Sequence, residues 1–154
     1  MQDLKNMLQN CKLFSGMPEV MLQETVLPQG RLREYTRQTT IISPQENVSW
    51  FGIIVSGRIQ IAQIFSDGCS SLMGTLNPGA LLGVDLICTR SRRAPYHAIA
   101  ASNTEIFCFP ADMVLEPGQL PERERLDVLR IFMTLLSHEN MRKHYRIAIL
   151  SQRG

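Results

Sequence analysis

Apolar positions recur with two different periods along the chain, and each period predicts a different kind of element. Near the N-terminus, the spacing i, i+3, i+4, i+7 of an amphipathic helix is met by Leu4, Met7, Leu8 and Cys11. Between residues 31 and 109, apolar and polar residues alternate in short runs with many β-branched side chains, which suit strands. The pattern therefore predicts a mainly β protein with flanking helices.

Glycine turns divide this β region at regular intervals. A β-type run precedes each of Gly57, Gly68 and Gly79, and each of the first two turns is followed by the next after eleven residues. Strands that are separated so evenly predict an antiparallel roll or barrel. A final pair of strands is predicted at residues 97–102 and 105–109.

Helices are predicted on both sides of the β region. A short one begins at Pro18, a residue that suits the first helical position, and it ends near Leu27. A long one begins at Pro121, and its roughly 30 residues would extend about 45 Å. Because a small roll is shorter than this helix, part of the apolar face of the helix needs another surface.

We expect that surface to be the same helix of a second chain, in a two-fold dimer. The polar Asn140 lies within the apolar stripe and would set the register of such a pair. The predicted dimerisation residues are Leu129, Phe132, Met133, Leu136, Asn140 and Ile147. The alternative is a helix that packs entirely on its own domain.

Composition excludes some classes of function. The 154 residues are 44% apolar, which suits one domain with an appended helix. A net charge of +2 and an aromatic content of 6% give little support for nucleic-acid binding by charge or by base stacking. No apolar run approaches the length of a signal peptide or a membrane span, so we expect a cytoplasmic protein without a membrane partner.

No arrangement of residues typical of a catalytic or metal site stands out. A cupin-type metal site needs clustered histidines and an acid, whereas His97 is isolated within the β region. Zinc sites and disulfide scaffolds show closely spaced cysteines, but this chain has no CxxC pair among Cys11, Cys69, Cys88 and Cys108. We therefore predict that the chain is not an enzyme and has no metal site.

Several short motifs, taken in order, resemble one known family. They are Leu13-Phe14-Ser15-Gly16-Met17-Pro18, Val55-Ser56-Gly57-Arg58-Ile59, Asp67-Gly68, Leu76-Asn77-Pro78-Gly79, Leu82-Gly83 and Ile149-Leu150-Ser151-Gln152-Arg153. This ordered set resembles the effector-sensing half of the CRP/FNR-type bacterial transcription regulators, in the cyclic-nucleotide-binding-domain superfamily. The resemblance covers almost the whole chain.

The resemblance implies a double-stranded β-helix, or jelly roll, in residues 1–120 and a long dimerisation helix in residues 121–154 that ends at a hinge. It also implies a small-molecule effector pocket between the roll and the helix. Intact members of the family carry a C-terminal winged helix-turn-helix that binds DNA, and no such pattern is found here up to Gly154. We expect a homodimeric sensor module that reaches DNA only through a domain outside this chain. A stand-alone ligand-binding or protein-binding module is the alternative.

Family members that bind cyclic nucleotides carry a phosphate-binding cassette, in which a glycine and a glutamate precede an arginine and a small hydroxyl residue. The arginine binds the cyclic phosphate in a planar fork, and the glutamate accepts a ribose hydroxyl. Here Gly83 matches the glycine, but Val84 stands at the glutamate position, and Ala94 and Pro95 stand at the other two. The resemblance therefore implies an effector other than cAMP, without a conventional cAMP site.

An anionic effector is still expected. Asp85 and Arg93 lie one residue away from the family positions, and no acidic residue lies between Asp85 and Glu105, whereas three arginines do. A solvated basic loop is the alternative for these arginines. The candidate effector-binding residues are Gly83, Val84, Asp85, Arg92, Arg93, Ala94, Pro95, Asn140 and Met141.

Haem is the second effector that the resemblance suggests, because some family members are haem-based gas sensors. Its candidate ligands here are His97 and His138. A thiol redox sensor is a further alternative, using Cys69, Cys88 or Cys108. An iron–sulfur cluster needs about four thiolates, and the N-terminal region offers only Cys11. The cofactor is otherwise left open.

Overall fold

Two antiparallel sheets form the centre of the chain in the computed structural model. The structure describes the backbone of residues 2–64, 67, 70–89 and 93–153, and the side chains of residues 4–63, 67, 71–89 and 93–137. The strands are β1 (Arg31–Tyr35), β2 (Thr40–Ile42), β3 (Trp50–Ser56), β4 (Ile59–Ile64), β5 (Ser70–Leu76), β6 (Leu81–Leu82), β7 (His97–Ala100) and β8 (Thr104–Pro110).

The eight strands divide evenly between the two sheets. The first sheet has the order β1-β8-β3-β6 and the second has the order β2-β7-β4-β5, with every pairing antiparallel. The two-sheet roll confirms the mainly β fold and the jelly roll that the sequence predicts. Strand β4 pairs with β5, with Ile59 opposite Leu76.

The last two strands are consecutive but lie in different sheets. β7 pairs with β2 and β4, whereas β8 pairs with β1 and β3. The connection between them is held by the Thr104 hydroxyl, which donates to the carbonyl oxygens of Ser102 and Arg58. The chain therefore changes sheets at residues 101–103 rather than folding back as a hairpin.

The central strands of the first sheet, β3 and β8, are buried on both faces, whereas the edge strand β1 is mostly exposed. Along β3 and β8, alternate side chains point to opposite faces, as strand geometry requires. One set packs against the second sheet in an inner core that includes Ile54, Ile59, Leu82, Ala98, Ile106 and Cys108. The other set packs beneath the helices in an outer core that includes Phe14, Phe51, Ile53, Phe107, Phe109 and Phe132.

The N-terminal helices cover the outer core. They are α1 (Gln2–Asn10), a 3-10 turn at Lys12–Phe14, α2 (Glu19–Met21), a π-helical turn at Leu22–Val26 and a 3-10 turn at Leu27–Gln29. The helical segment after Pro18 thus runs two residues beyond the predicted end at Leu27. Pro28 is tolerated there because it lies in the first turn of the new 3-10 helix, where its missing N–H is not needed.

The remaining helices are α3 (Val84–Ile87), α4 (Asp112–Leu115) and α5 (Glu122–Arg153). The 32 residues of α5 confirm the long helix, which extends about 48 Å. Its first turn contains Glu122 and Glu124, which favour a helix N-terminus. None of the helices in the described part of the chain is both long enough and apolar enough to cross a membrane.

Candidate effector site

The glycine that matches the family cassette is required by the backbone around it. Gly83 has φ +93° and an added Cβ would lie 2.7 Å from the Trp50 carbonyl oxygen. A side chain would therefore meet both an unfavourable dihedral and the neighbouring strand β3. The Gly83 carbonyl accepts hydrogen bonds from the N–H groups of Leu86 and Ile87, at 3.1 and 3.0 Å, and so begins α3.

The second half of the cassette is held by the loop before β3. The N–H of Ala94 donates to the Glu46 carbonyl oxygen at 3.0 Å, and the Ala94 carbonyl accepts the N–H of Gln45 at 2.7 Å. Arg93 forms an isolated antiparallel bridge with Asn47. Because Pro95 has no N–H, neither Ala94 nor Pro95 has a backbone donor available for a phosphate.

The two halves are joined by a residue that the sequence did not single out. The Tyr96 hydroxyl lies 3.2 and 3.1 Å from the two carboxylate oxygens of Asp85 and donates to them. Tyr96 is 7% exposed, and a buried tyrosine hydroxyl usually has such a partner. From the sequence, only this general rule about buried tyrosines could have identified Tyr96 as part of the site. The structure thus brings Gly83, Asp85 and residues 94–96 together, with the Asp85 carboxylate already engaged.

Two of the candidate residues are parts of the core. Val84 is 7% exposed and belongs to the outer core, and Ala94 is fully buried in the inner core. Arg93 and Pro95 are exposed. Arg92 lies outside the described residues, as do the side chains of Asn140 and Met141. Among the described candidates, Arg93 is therefore an exposed cation next to the loop before β3.

The thiols that the structure describes are not activated for redox chemistry. Burial raises the pKa of Cys11 and of Cys88, and for Cys88 the nearby Asp85 carboxylate raises the pKa further. Burial raises the pKa of Cys108 to about 11, although Arg33 acts in the opposite direction. Since the thiolate is the reactive form, these three groups are poor nucleophiles at neutral pH. Cys69 lies outside the described residues.

The two haem candidates can be placed only in part. His97 is half-buried on β7 and lies opposite Ala62 on β4. The side chain of His138 lies outside the described residues. Within the described part of the chain, no group of three or more His, Cys, Asp or Glu side chains could hold a metal ion.

The long helix presents two apolar stripes, of which one faces its own domain. Val128 is fully buried and Phe132 is 1% exposed, with the Phe132 ring packed edge-on against Phe51 at 5.4 Å. Phe132 is therefore wrongly placed in the predicted dimerisation set, because the outer core of its own chain already covers it. The other stripe points outward, with Leu126 47% and Met133 64% exposed.

The remaining dimerisation candidates fall into two groups. Leu129 and Leu136 are half-buried in the chain, and Leu129 packs partly against the outer core, so part of each side chain is open to a second surface. The side chains of Asn140 and Ile147 lie outside the described residues. The outward stripe is thus defined in this structure by Leu126, Leu129, Met133 and Leu136.

Comparison with known proteins agrees with this architecture. The family model for the cyclic nucleotide-binding domain matches residues 32–116, which run from β1 to the residue after α4. No curated protein matches the chain by sequence.

Solved structures share the fold at low sequence identity. The sensor domain of the transcriptional regulator DNR from Pseudomonas aeruginosa has a TM-score of 0.74 and 20% identity, covering 95% of this chain and 92% of that one. Thermus thermophilus Catabolite Activator Protein has a TM-score of 0.77 and 19% identity, covering 90% of this chain and 62% of that one. The regulatory subunit of a cAMP-independent protein kinase A from Trypanosoma brucei has a TM-score of 0.71 and 14% identity, covering 94% of this chain and 49% of that one. At these identities the likeness shows a common fold.

Proposed function

The chain belongs to the cyclic nucleotide-binding domain family, and from this premise we propose that it is the sensor and dimerisation module of a CRP/FNR-type transcription regulator. Residues 1–120 would bind a small effector, and residues 121–154 would pair two copies. A DNA-binding domain would follow the long helix. The effector would shift the population of two pairings of the long helices and so reposition the DNA-binding domains. In this role the chain binds a ligand and catalyses no reaction.

The outward stripe of α5 is the observation that carries the proposal. Apolar or amide residues occur along α5 at alternating spacings of three and four, at Leu126, Leu129, Met133, Leu136 and Asn140. This is the a/d spacing of a helix that pairs with another helix. The inward stripe with Val128 and Phe132 already attaches α5 to its own domain. The helix therefore has one face for the sensor and a second face for a partner helix.

The chemistry of the cassette supports an effector other than cAMP. Val84 occupies the position whose carboxylate would accept a ribose hydroxyl, and its side chain is part of the outer core. No arginine fork stands at the position of Ala94, whose side chain is fully buried. The Ala94 N–H is donated to Glu46, so a cyclic phosphate would find neither its usual side chain nor this amide.

Dimerisation can be tested with two substitutions that are matched in exposure. Met133 and Val20 are each 64% exposed in the chain, and each lies on a helix, but only Met133 lies on the outward stripe of α5. We expect Met133→Glu to convert the dimer to a monomer in sedimentation velocity, while Val20→Glu leaves the dimer intact. A monomeric wild-type protein, or a Met133→Glu protein that stays dimeric, would contradict the proposal.

The effector is best sought on the protein as purified. Native mass spectrometry would report the mass of any retained ligand together with the oligomeric state. We expect titration with cAMP to give no saturable binding by calorimetry. A visible absorption spectrum with a Soret band would instead identify haem as the effector. Saturable cAMP binding would refute the argument drawn from Val84, Ala94 and Pro95.

A further inference from the structure

A groove of about 530 Å³ opens on the outer face of the first sheet. Its walls are formed by Leu4, Lys5, Gln23, Leu27, Pro28 and Phe107. The groove lies over β1 and β8, whereas the cassette follows β6 at the opposite edge of the same sheet. With strands spaced about 4.8 Å apart, the two places are separated by the width of the sheet. The groove is therefore a different site from the cassette.

The size and lining of the groove suit a small apolar molecule. Ligand pockets in proteins typically measure about 300–1,000 Å³ and are mostly apolar, with a few polar groups that fix the ligand's orientation. Here Leu4, Leu27, Pro28 and Phe107 supply apolar walls. Leu32 lies opposite Phe107 in the sheet and is 43% exposed, so it extends the apolar floor. Since Phe107 is only 4% exposed, an elongated hydrocarbon chain would contact the edge of its ring and cover mainly Leu32.

One cation lies in the wall of this groove. The Lys5 side chain is 19% exposed and forms an ion pair with Glu19, whose side chain is 60% exposed. Because the Glu19 carboxylate is the exposed partner of this pair, it can turn to solvent while a ligand carboxylate takes its place at the Lys5 ammonium group. Gln23 in the same wall has an amide that donates hydrogen bonds to a carboxylate.

The segment that carries Gln23 has an unusual backbone. It changes from α-helix to a five-residue π-helical turn at Leu22–Val26 and then to a 3-10 turn. Leu22 and Val26 are buried, which leaves Gln23 facing the groove. π-Helical turns are rare and occur often at functional sites. The floor of the groove is closely packed and requires a glycine, because a Cβ at Gly30 would lie 2.3 Å from the Phe107 ring.

We propose that this groove binds an elongated alkyl chain that ends in a single carboxylate, with Lys5 and Gln23 holding the carboxylate. The alkyl chain of the ligand lies along Leu27, Phe107 and Leu32. This site is independent of the effector cassette, and its occupation does not depend on the function proposed above.

Decanoate and decanol are suitable probes, because they share an alkyl chain and differ in the charged end. In calorimetric titrations of the full chain, we expect the wild-type protein to bind decanoate about tenfold more tightly than decanol, as expected from one hydrogen bond to a charged group. Lys5→Met should remove that preference and leave decanol binding unchanged. Lys12→Met is the matched control, because Lys12 is exposed and does not line the groove. It should change neither affinity.

Methyl NMR of the wild-type protein locates the bound probe without any variant. We expect decanoate to shift the methyl signals of Leu4, Leu27 and Leu32, and to leave those of Leu86 beside the cassette unchanged. Absence of saturable binding, equal affinity for the two probes, or shifts confined to Leu86 would each overturn the proposal. The last outcome would identify decanoate as a ligand of the cassette instead.

Discussion

Alanine at Gly83 should destabilise the protein far more than alanine at Gly79, although the two glycines have the same φ of +93°. At Gly79 nothing lies within 4 Å of an added Cβ, whereas at Gly83 the Trp50 carbonyl oxygen lies at 2.7 Å and the Phe51 Cα at 3.3 Å. The pair therefore separates the effect of the dihedral angle from the effect of close approach to β3.

The magnitudes follow from these two effects. A positive φ costs alanine about 1–2 kcal/mol at either position. At Gly83 the backbone must also move by several tenths of an ångström, and forced overpacking of this kind costs about 1–3 kcal/mol. We therefore expect Gly79→Ala to lower the free energy of unfolding by about 1–2 kcal/mol, and Gly83→Ala to lower it by about 2–5 kcal/mol.

Urea unfolding measures both values. Trp50 is the single tryptophan, so its fluorescence and far-UV circular dichroism should report one shared transition. All proteins must be compared at one concentration, because the proposed dimerisation would make the midpoint depend on concentration. If the two variants lose the same free energy within about 0.5 kcal/mol, the close approach of Gly83 to β3 contributes nothing, and the account of the cassette's first residue is wrong.

Two further predictions concern the Cys108 thiol and the Tyr96 hydroxyl. Burial raises the pKa of Cys108 from about 9 to about 11, so the stabilisation that this thiol provides is complete below pH 9 and is lost as the pH rises to 11. This loss in the free energy of unfolding is about 2–3 kcal/mol. The Cys108→Ala variant has no thiol at this position, so its free energy of unfolding should not show the loss between pH 9 and pH 11. If the free energies of unfolding of the wild type and the variant change in parallel with pH, the assignment is contradicted. Tyr96→Phe removes the hydrogen bonds to Asp85 and should cost about 1–2 kcal/mol in urea unfolding. Tyr35→Phe on β1 is the control and should stay within about 0.5 kcal/mol; an equal loss in both variants would show that the Asp85 contact is unimportant.

The strands and their turns were predictable because both signals are local. Alternation and β-branched residues mark a strand within a few residues, and a glycine such as Gly57 between two such runs marks a turn. The assignment of strands to sheets was not predictable in the same way. The sequence predicts strands at residues 97–102 and 105–109 around an ordinary turn, and only the partners of β7 and β8 show that the chain crosses to the other sheet.

The position of the candidate site stays a prediction, and its local structure was only partly predictable. The family pattern proposes Gly83 and residues 94–95 as site residues, but sequence did not reveal that the Ala94 N–H is donated to Glu46. The same limit applies to α5. Phe132 and Met133 are consecutive and apolar, and only the ring of Phe51 decides that Phe132 faces inward. Such decisions depend on partners that are distant in the sequence.

Strand β3 of the first sheet is buried on both faces and therefore links the interior of the roll to the long helix. Ile54 faces the inner core, and Phe51, three residues earlier on the same strand, holds Phe132 of α5. A strand cannot shift one of these side chains sideways and keep the other still, because the ladder with β8 fixes its backbone. A ligand that moves β3 from inside the roll therefore acts on α5 across the thickness of a single sheet.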